Sequence, residues 1–502
     1  LAGAGASSGM AMAHWEIQGW MILILGWVFV PFYTRSMVYT MPEFLERRYN
    51  PQSRTILSVI SLVSYVLTKV AVTVYAGGLV FQQVFGIKEL WGIDFFWIAA
   101  IGLVVLTALY TIFGGMKSVL YTSVLQTPIL LLGSLIILVL GFKELGGWDE
   151  MMRVCGAVTV NDYGDTMTNL IRSNDDANFP WLGALIGSAI IGFWYWCTDQ
   201  FIVQRVLSGK NEMEARRGTI FGAYLKLLPV FLFLIPGMIA FALHQKYIGA
   251  GGEGFLPMLE NGTANADAAF PTLVAKLLPA GVKGLVVCGI LAALMSSLAS
   301  LFNSSAMLFT IDFYKRFRPQ TSEKKLVGIG QVATVVIVIL GILWIPIMRS
   351  VGDVLYTYLQ DVQSVLAPGI AAAFLLGICW KRTSAQGGMW GLISGMVIGL
   401  TRLGAKVYYS NAGEVADSTF KYLFYDMNWL FFCGWMFLFC IIVVIVVSLA
   451  TKAPTAEKIQ GLVFGTATKE QKASTRASWN HWDIIHTVII LAITGAFYWY
   501  FW

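Results

Sequence analysis

Charge is what this sequence has least of. Asp, Glu, Lys and Arg make up 12% of the 502 residues and mean hydropathy is +0.70, whereas soluble domains carry roughly 25% charged residues. A soluble enzyme is thereby excluded. Histidine is equally sparse: His14, His244, His481 and His486 sit near the edges of apolar runs with no ligand spacing. No HExxH, Walker A, GxSxG or kinase signature occurs, so no enzyme is expected. The six cysteines lack a CxxC pair and only Cys155 falls in a predicted loop, which argues against a disulfide framework or a cysteine metal cluster. Blocks of like charge are missing too. The formal charge is +6, but the basic residues are spaced between apolar runs, so no nucleic-acid partner is expected. The alternating ten-residue segments of a membrane β-barrel are absent; LVVLTALYTIF and IIVVIVVSLA are continuous apolar runs.

What is present is a series of apolar runs, each near the ~20 residues an α-helix needs to cross a bilayer. They lie near 14–34, 53–85, 92–113, 119–141, 181–204, 218–244, 282–310, 326–348, 353–380, 386–408, 428–450 and 482–502, with a remnant at 1–9. Twelve spans predict an all-α polytopic membrane protein. With alternate connections on one side, 35–54, 114–118, 205–217, 315–325, 381–385 and 452–476 hold 21 Lys and Arg against 11 on the other. The positive-inside rule makes the richer side cytoplasmic and the C-terminus external. The acidic 142–180 stretch and the Gly/Ala/Asn-rich 246–280 stretch read as external caps. TMPEFLERRYNP at 40–51 reads as a short interfacial helix or a solvated loop, and 452–476 as a cytoplasmic linker. No secretory leader is expected in the opening LAGAGASSG, and the natural start is expected upstream of Leu1.

Charges inside apolar runs are the first candidates for function, since each costs at least ~2.5–3.5 kcal/mol at the bilayer centre unless paired or wetted. Four stand out: Glu16, Lys69, Lys226 and Asp199. Glu16 beside Trp15 also suits an interfacial carboxylate with its aromatic belt, and Lys226 in AYLKLLP also suits a snorkelling lysine. Lys69 in YVLTKVAV has a structural ion pair with a carboxylate as its rival reading. Asp199 in YWCTDQ suits pairing with Arg205 or a helix terminus. The hydroxyl run at 291–310, with Ser296, Ser297, Ser300, Asn303, Ser304 and Ser305, reads as tight helix packing or as oxygen ligands for Na⁺. GAGASSG at 3–9 and Pro229, Pro236 and Pro368 mark candidate helix breaks, where transporters expose backbone to build sites. FWYW at 193–196 reads as packing, although such faces also stack on sugars.

WYWCTDQFIVQRVLSGKN (194–211), YLKLLPVFLFLIPGMIA (224–240) and VKGLVVCGILAALMSSLASLFNSSAMLFTIDFYK (282–315) closely resemble the sodium/solute symporter family, in its sodium/glucose cotransporter branch. TMPEFLERRYN (40–50), TIFGGMKSVLYT (111–122) and APGIAAAFLLGICWKRT (367–383) match in the same order. The resemblance implies a five-plus-five inverted-repeat bundle with an unwound first helix in each repeat and peripheral helices beyond. The repeats are expected over 1–141 and 181–380, with an external loop over 142–180 and peripheral helices over 381–502. It implies Glu16, Lys226 and Gln360 as sugar-hydroxyl partners, Tyr195 and Trp196 as an inner aromatic gate, and Tyr356 and Leu1 at the outer side. Lys69 occupies a position that faces the substrate in the family. For sodium it implies the Ser296 and Ser297 hydroxyls with the Ala293 carbonyl, completed by carbonyls of a first core helix outside the numbered chain.

The expected function is Na⁺-coupled symport of a glucose- or galactose-like sugar by alternating access in a bilayer, with Na⁺ as coupling ion and no organic cofactor. The alternatives are symport of myo-inositol or another small polar solute, an uncoupled sugar uniporter, and a membrane sensor. Ser123 stands where sugar carriers of the family usually have Asp, and Gly19 and Gly192 replace larger side chains, which implies a roomier pocket. Short loops point to a bacterial plasma membrane, while the sequon at Asn261 leaves a eukaryotic host open.

Overall fold

The computed structural model describes all residues except 39, 260–261, 352–353 and 412–415; the side chains of 110, 112–120, 122–123, 125 and 348–351 are also outside the description. Ser123 and Asn261 therefore lie outside the described residues. The helices that matter for the site are α1 (Ala2–Ser36), α2 (Met41–Arg48), α3 (Pro51–Phe85), α4 (Phe95–Leu145), α5 (Trp181–Thr198), α6 (Gln200–Leu207), α7 (Glu212–Gly249), α8 (Ala280–Phe317), α9 (Glu323–Val351), α10 (Leu355–Cys379), α11 (Ala385–Asn411), α12 (Trp429–Ala450) and α13 (His481–Tyr500). Ten helices among the described residues are long and apolar enough to cross a membrane. Residues 92–113 and 119–141 are joined in the single 51-residue α4, whose apolar stretches among the described residues are Phe95–Leu109 and Gln126–Leu145. The 386–408 run is the helix α11, diluted by glycine and by Arg402 and Lys406.

Two pairs of helices carry the architecture. α1 and α7 run antiparallel: Gly5 meets Leu234, Gly237 meets Ala2, Gly19 approaches the Ala223 carbonyl and Gly26 meets Thr219. α3 and α8 do the same, with Arg54 paired to Asp312 at one end and Gly77 against Leu294 further along. The members of each pair are 35 and 38 residues long, and each contains a π-helical turn: Leu25–Phe29, Tyr65–Val70, Val230–Leu234 and Leu308–Tyr314. Antiparallel packing of like helices is what an inverted repeat with a two-fold axis in the membrane plane produces.

GAGASSG is helical and buried through Ala6, where its glycines let backbones touch, since a Cβ on Gly5 would collide with the facing Leu234 carbonyl. That is small-residue packing, the use membrane helices make of glycine. The expected break falls at its last residue: the helix ends at Ser8, Gly9 takes φ 64°, and a 3₁₀ turn follows over Gly9–Met12. α1 is interrupted a second time at Ile17–Gln18, directly after Glu16. The break expected before FWYW follows it. Phe193–Thr198 is a π-helical turn, and Asp199, extended at φ −79° and ψ 128°, caps the start of α6 by accepting from the Phe201 N–H. Pro229 and Pro368 lie inside continuous helices, and Pro236 sits at the start of a helical stretch after a π-turn.

The 40–51 segment is a helix. Thr40 caps it, Phe44 and Leu45 are buried, and the buried Arg48 donates to the Gly377 and Trp380 carbonyls, closing the end of α10. The 142–180 stretch is ordered by its own polar contacts: Asn161 bridges Asp165 and Asp176, and Arg172 donates to the Ser8 carbonyl. Cys155, expected in a loop, lies in the helix Trp148–Gly156.

Candidate functional site

The Ile17–Gln18 interruption of α1 and the stretch of α5 that precedes its break border one cavity of about 180 Å³. α1 contributes Trp15, Glu16 and Gln18, α5 contributes Ile191, Gly192, Tyr195 and Trp196, α7 contributes Lys226, and α10 contributes Tyr356, Leu359, Gln360 and Gln363. A helix that stops at Glu16 and restarts at Gly19 brings Glu16 and Gln18, two residues apart, to one cavity, where a regular turn would set them about 200° apart around its axis. Drug-sized sites occupy roughly 300–1,000 Å³, so the cavity suits a single small ring.

Its polar groups form a neutral network. Lys226 Nζ donates to Glu16 Oε2 at 2.5 Å, and the Tyr356 hydroxyl donates to Glu16 Oε1. Glu16 is 6% exposed, so the ammonium offsets a charge that would otherwise be buried alone. Two atoms in the lining residues are left over. The Trp15 Nε1–H donor and the Gln360 Oε1 acceptor are both buried with no hydrogen-bond partner, although buried polar groups are normally satisfied. One face of the cavity is aromatic: Tyr195 and Trp196 stand edge to face with centroids 5.1 Å apart, and Lys226 Nζ lies 5.4 Å from the Trp196 ring centre. Trp15 stacks on Trp429 at 5.4 Å.

Of the seven residues expected around a substrate, Glu16, Tyr195, Trp196, Lys226, Tyr356 and Gln360 line this cavity and Lys69 does not. Lys69 is paired with Asp199, whose other oxygen accepts from the Tyr65 hydroxyl. Its ammonium packs against the rings of Phe201 at 4.4 Å, Tyr65 at 4.7 Å and Tyr195 at 4.9 Å. The rival reading of Lys69 as half of an ion pair thus has its carboxylate, and Asp199 has its helix terminus. Arg205 bonds to the Ser300 hydroxyl instead of Asp199. Gly192 does not enlarge the cavity, because the Gln18 amide fills the space a side chain there would take. Gln18, Gln363 and Trp15 were missed by sequence reasoning. Gln18 and Gln363 carry no charge to mark them inside an apolar run, and Trp15 looks like any interfacial tryptophan.

The residues expected to ligate sodium, Ala293, Ser296 and Ser297, occupy one turn of α8, with Ser296 buried, Ala293 half-buried and Ser297 exposed. Ser300 and Ser304, from the same hydroxyl run, pack against α6 through Gln204 and Arg205. No cluster of three His, Cys, Asp or Glu able to hold a metal occurs among the described residues.

Residues 1–395 match the family model described as the sodium:solute symporter family. The chain is 36% identical over 479 residues to the sodium/myo-inositol cotransporter 2 of Homo sapiens, covering 93% of this chain and 70% of that one. It is 35% identical over 497 residues to the sodium/glucose cotransporter 4 of Danio rerio, covering 95% and 74%. It is 36% identical over 510 residues to a sodium/mannose cotransporter of Bos taurus, covering 96% and 83%. Among solved structures, an outward-open Na⁺-coupled sialic acid symporter superposes with a TM-score of 0.67 at 20% identity, covering 90% of this chain and 86% of that one. That likeness establishes a shared fold, the inverted-repeat transporter bundle. On the extent of the family match and the identity to these cotransporters, the chain belongs to the sodium:solute symporter family, as a Na⁺-coupled carrier of a small solute.

Proposed function

We propose that the chain couples Na⁺ entry to uptake of a neutral polyhydroxylated ring, a hexose or a cyclitol of the myo-inositol type, by alternating access. The observation that carries this is the pair of unsatisfied atoms in the cavity lining, one donor at Trp15 and one acceptor at Gln360. A hydroxyl both donates and accepts, which suits lining residues that keep one unpaired donor and one unpaired acceptor. Charge supports the same class. Lys226 is already neutralised by Glu16, and a carboxylate-bearing solute would have to break that pair to bind. In this reading Glu16, Lys226, Tyr356 and Gln360 hold ring hydroxyls while Tyr195 and Trp196 close under the ring. The relatives that carry myo-inositol, glucose and mannose fall within that substrate class.

For the ion, the Ser296 and Ser297 hydroxyls and the Ala293 carbonyl supply the hard oxygen ligands that Na⁺ prefers without burying another charge. One Na⁺ moving down ~100 mV releases ~2.3 kcal/mol. A tenfold gradient adds ~1.4 kcal/mol, enough to concentrate the solute several-hundred-fold. The test is uptake of myo-inositol, glucose, galactose, mannose and sialic acid into proteoliposomes of the full-length protein, with and without an inward Na⁺ gradient, repeated with Ser297→Ala. Concentrative uptake of a neutral polyol that requires Na⁺ and collapses in the variant is expected. Uptake indifferent to Na⁺ would make the chain a uniporter, and preference for sialic acid would overturn the neutral-ring reading.

A further inference from the structure

A second cavity, of about 670 Å³, lies on the flank of the bundle away from the solute site. Its walls are Leu62, Val63, Val66 and Leu67 of α3, Phe309 of α8, and one face of α9 from Gly328 to Leu340. The one charged residue in its lining is Lys325, at the end where α9 begins. From Lys325 to Leu340 the groove follows α9 for about 22 Å at 1.5 Å per residue. Val332 is 65% exposed, and Val336 and Leu340 are about half exposed, so the α9 wall is open over its length.

We propose that this groove is a binding site for one anionic diacyl phospholipid, one of its two acyl chains lying along α9 and its phosphate held by Lys325. The lining carries the tail, because α3, α8 and α9 are all apolar enough to span a bilayer and a groove within spans opens onto acyl chains. Charge selects the headgroup. Lys325 makes no side-chain hydrogen bond or ion pair among the described residues, and nor does its neighbour Lys324. Exposed Lys315, Arg316 and Arg318 stand in the preceding turn and connection, with Glu323 the one acidic residue over 315–325. An ammonium without a counter-ion at the mouth of an apolar slot is complementary to a phosphate with a tail attached. A second copy of this chain is the competing occupant, but a row of valines ending in an unpaired lysine offers a matching copy no partner for that charge.

The experiment is native mass spectrometry of the full-length protein released from nanodiscs containing phosphatidylglycerol and phosphatidylcholine in equal parts. One tightly retained phosphatidylglycerol per chain is expected. Lys325→Gln should lower its retention about fivefold, Lys325→Arg should preserve it, and Lys324→Gln, outside the lining, should leave it unchanged. Val332→Trp, a substitution at an exposed position that fills the groove, should remove the lipid whatever its headgroup. Equal retention of both lipids, or equal effects of Lys324→Gln and Lys325→Gln, would overturn the site in favour of general lipid contact. A dimer mass that disappears in Val332→Trp would overturn it in favour of a second copy. The readout is mass, so it stands or falls independently of transport.

Discussion

Removing the charge of Lys226 tests the solute site most directly. Glu16 is 6% exposed, and both its oxygens are occupied, Oε2 by Lys226 at 2.5 Å and Oε1 by the Tyr356 hydroxyl. In Lys226→Met the carboxylate keeps only the phenol. An uncompensated buried charge of this kind costs ~3–5 kcal/mol. The cavity beside it admits water, so the expected loss in solute binding is that of one charge-assisted hydrogen bond, ~1.5–3 kcal/mol, or roughly 10–150-fold in KM. Glu16→Gln leaves the opposite orphan, an ammonium 13% exposed, and should raise KM over a similar range. The double variant contains no unpaired charge, so it should lose less than the sum, with a coupling energy of ~1–3 kcal/mol. The assay is the initial rate of Na⁺-driven solute uptake in proteoliposomes across a concentration series, normalised to protein incorporated. If the two single effects add to within ~0.5 kcal/mol in the double variant, Glu16 and Lys226 do not act as one unit and the argument fails.

Lys69 and Asp199 should behave as a second closed pair outside the cavity lining. Lys69→Met should lower the melting temperature and turnover by stranding Asp199, and adding Asp199→Asn should restore stability; no rescue would mean that Lys69 acts on solute directly. At the α1–α7 contact, Gly5→Val forces a side chain onto the Leu234 carbonyl. It should cost at least ~1–3 kcal/mol as overpacking, read as a drop of several degrees in thermal stability in detergent, and an unchanged melting point would refute the close approach. Asp267, outside the spans, accepts the Leu355 N–H at the start of α10 while burial pushes its carboxyl up to about 6. A raised folded value means that the folded state holds the proton more tightly. The contribution to stability is therefore full below about pH 4 and falls as pH rises towards 6 and beyond, by at most roughly 3 kcal/mol at ~1.4 kcal/mol per unit. Asp267→Asn should flatten the melting temperature over pH 4–7 relative to the parent, and parallel curves would exclude the carboxyl as the source.

The breaks and the polar sites show how much was legible in the residues. Glu16 and Lys226 could be singled out because a charge in an apolar run is costly enough to need a reason. Gln360, Tyr195 and Trp196 came from resemblance, since an amide or an aromatic in such a run looks like packing. Gln18 and Gln363 carried no signal at all. Glycine and proline gave a mixed signal. GAGASSG does end a helix, at Gly9, but its Gly3 and Gly5 permit backbone contact within one, and Pro229 is accommodated inside a helix, so composition could not separate loosening from tightening.

Hydropathy and chain-wide charge spacing by themselves determined that this is a helical membrane protein, because transfer of apolar side chains and of charge between water and bilayer is a local property of each segment. Partner choice is not local. Whether Lys69 faces solute or Asp199, which oxygen of Glu16 meets which donor, and whether the aromatic block precedes or follows the break depend on which helices lie side by side. Only tertiary structure decided those, by bringing residues more than 100 positions apart within hydrogen-bonding reach.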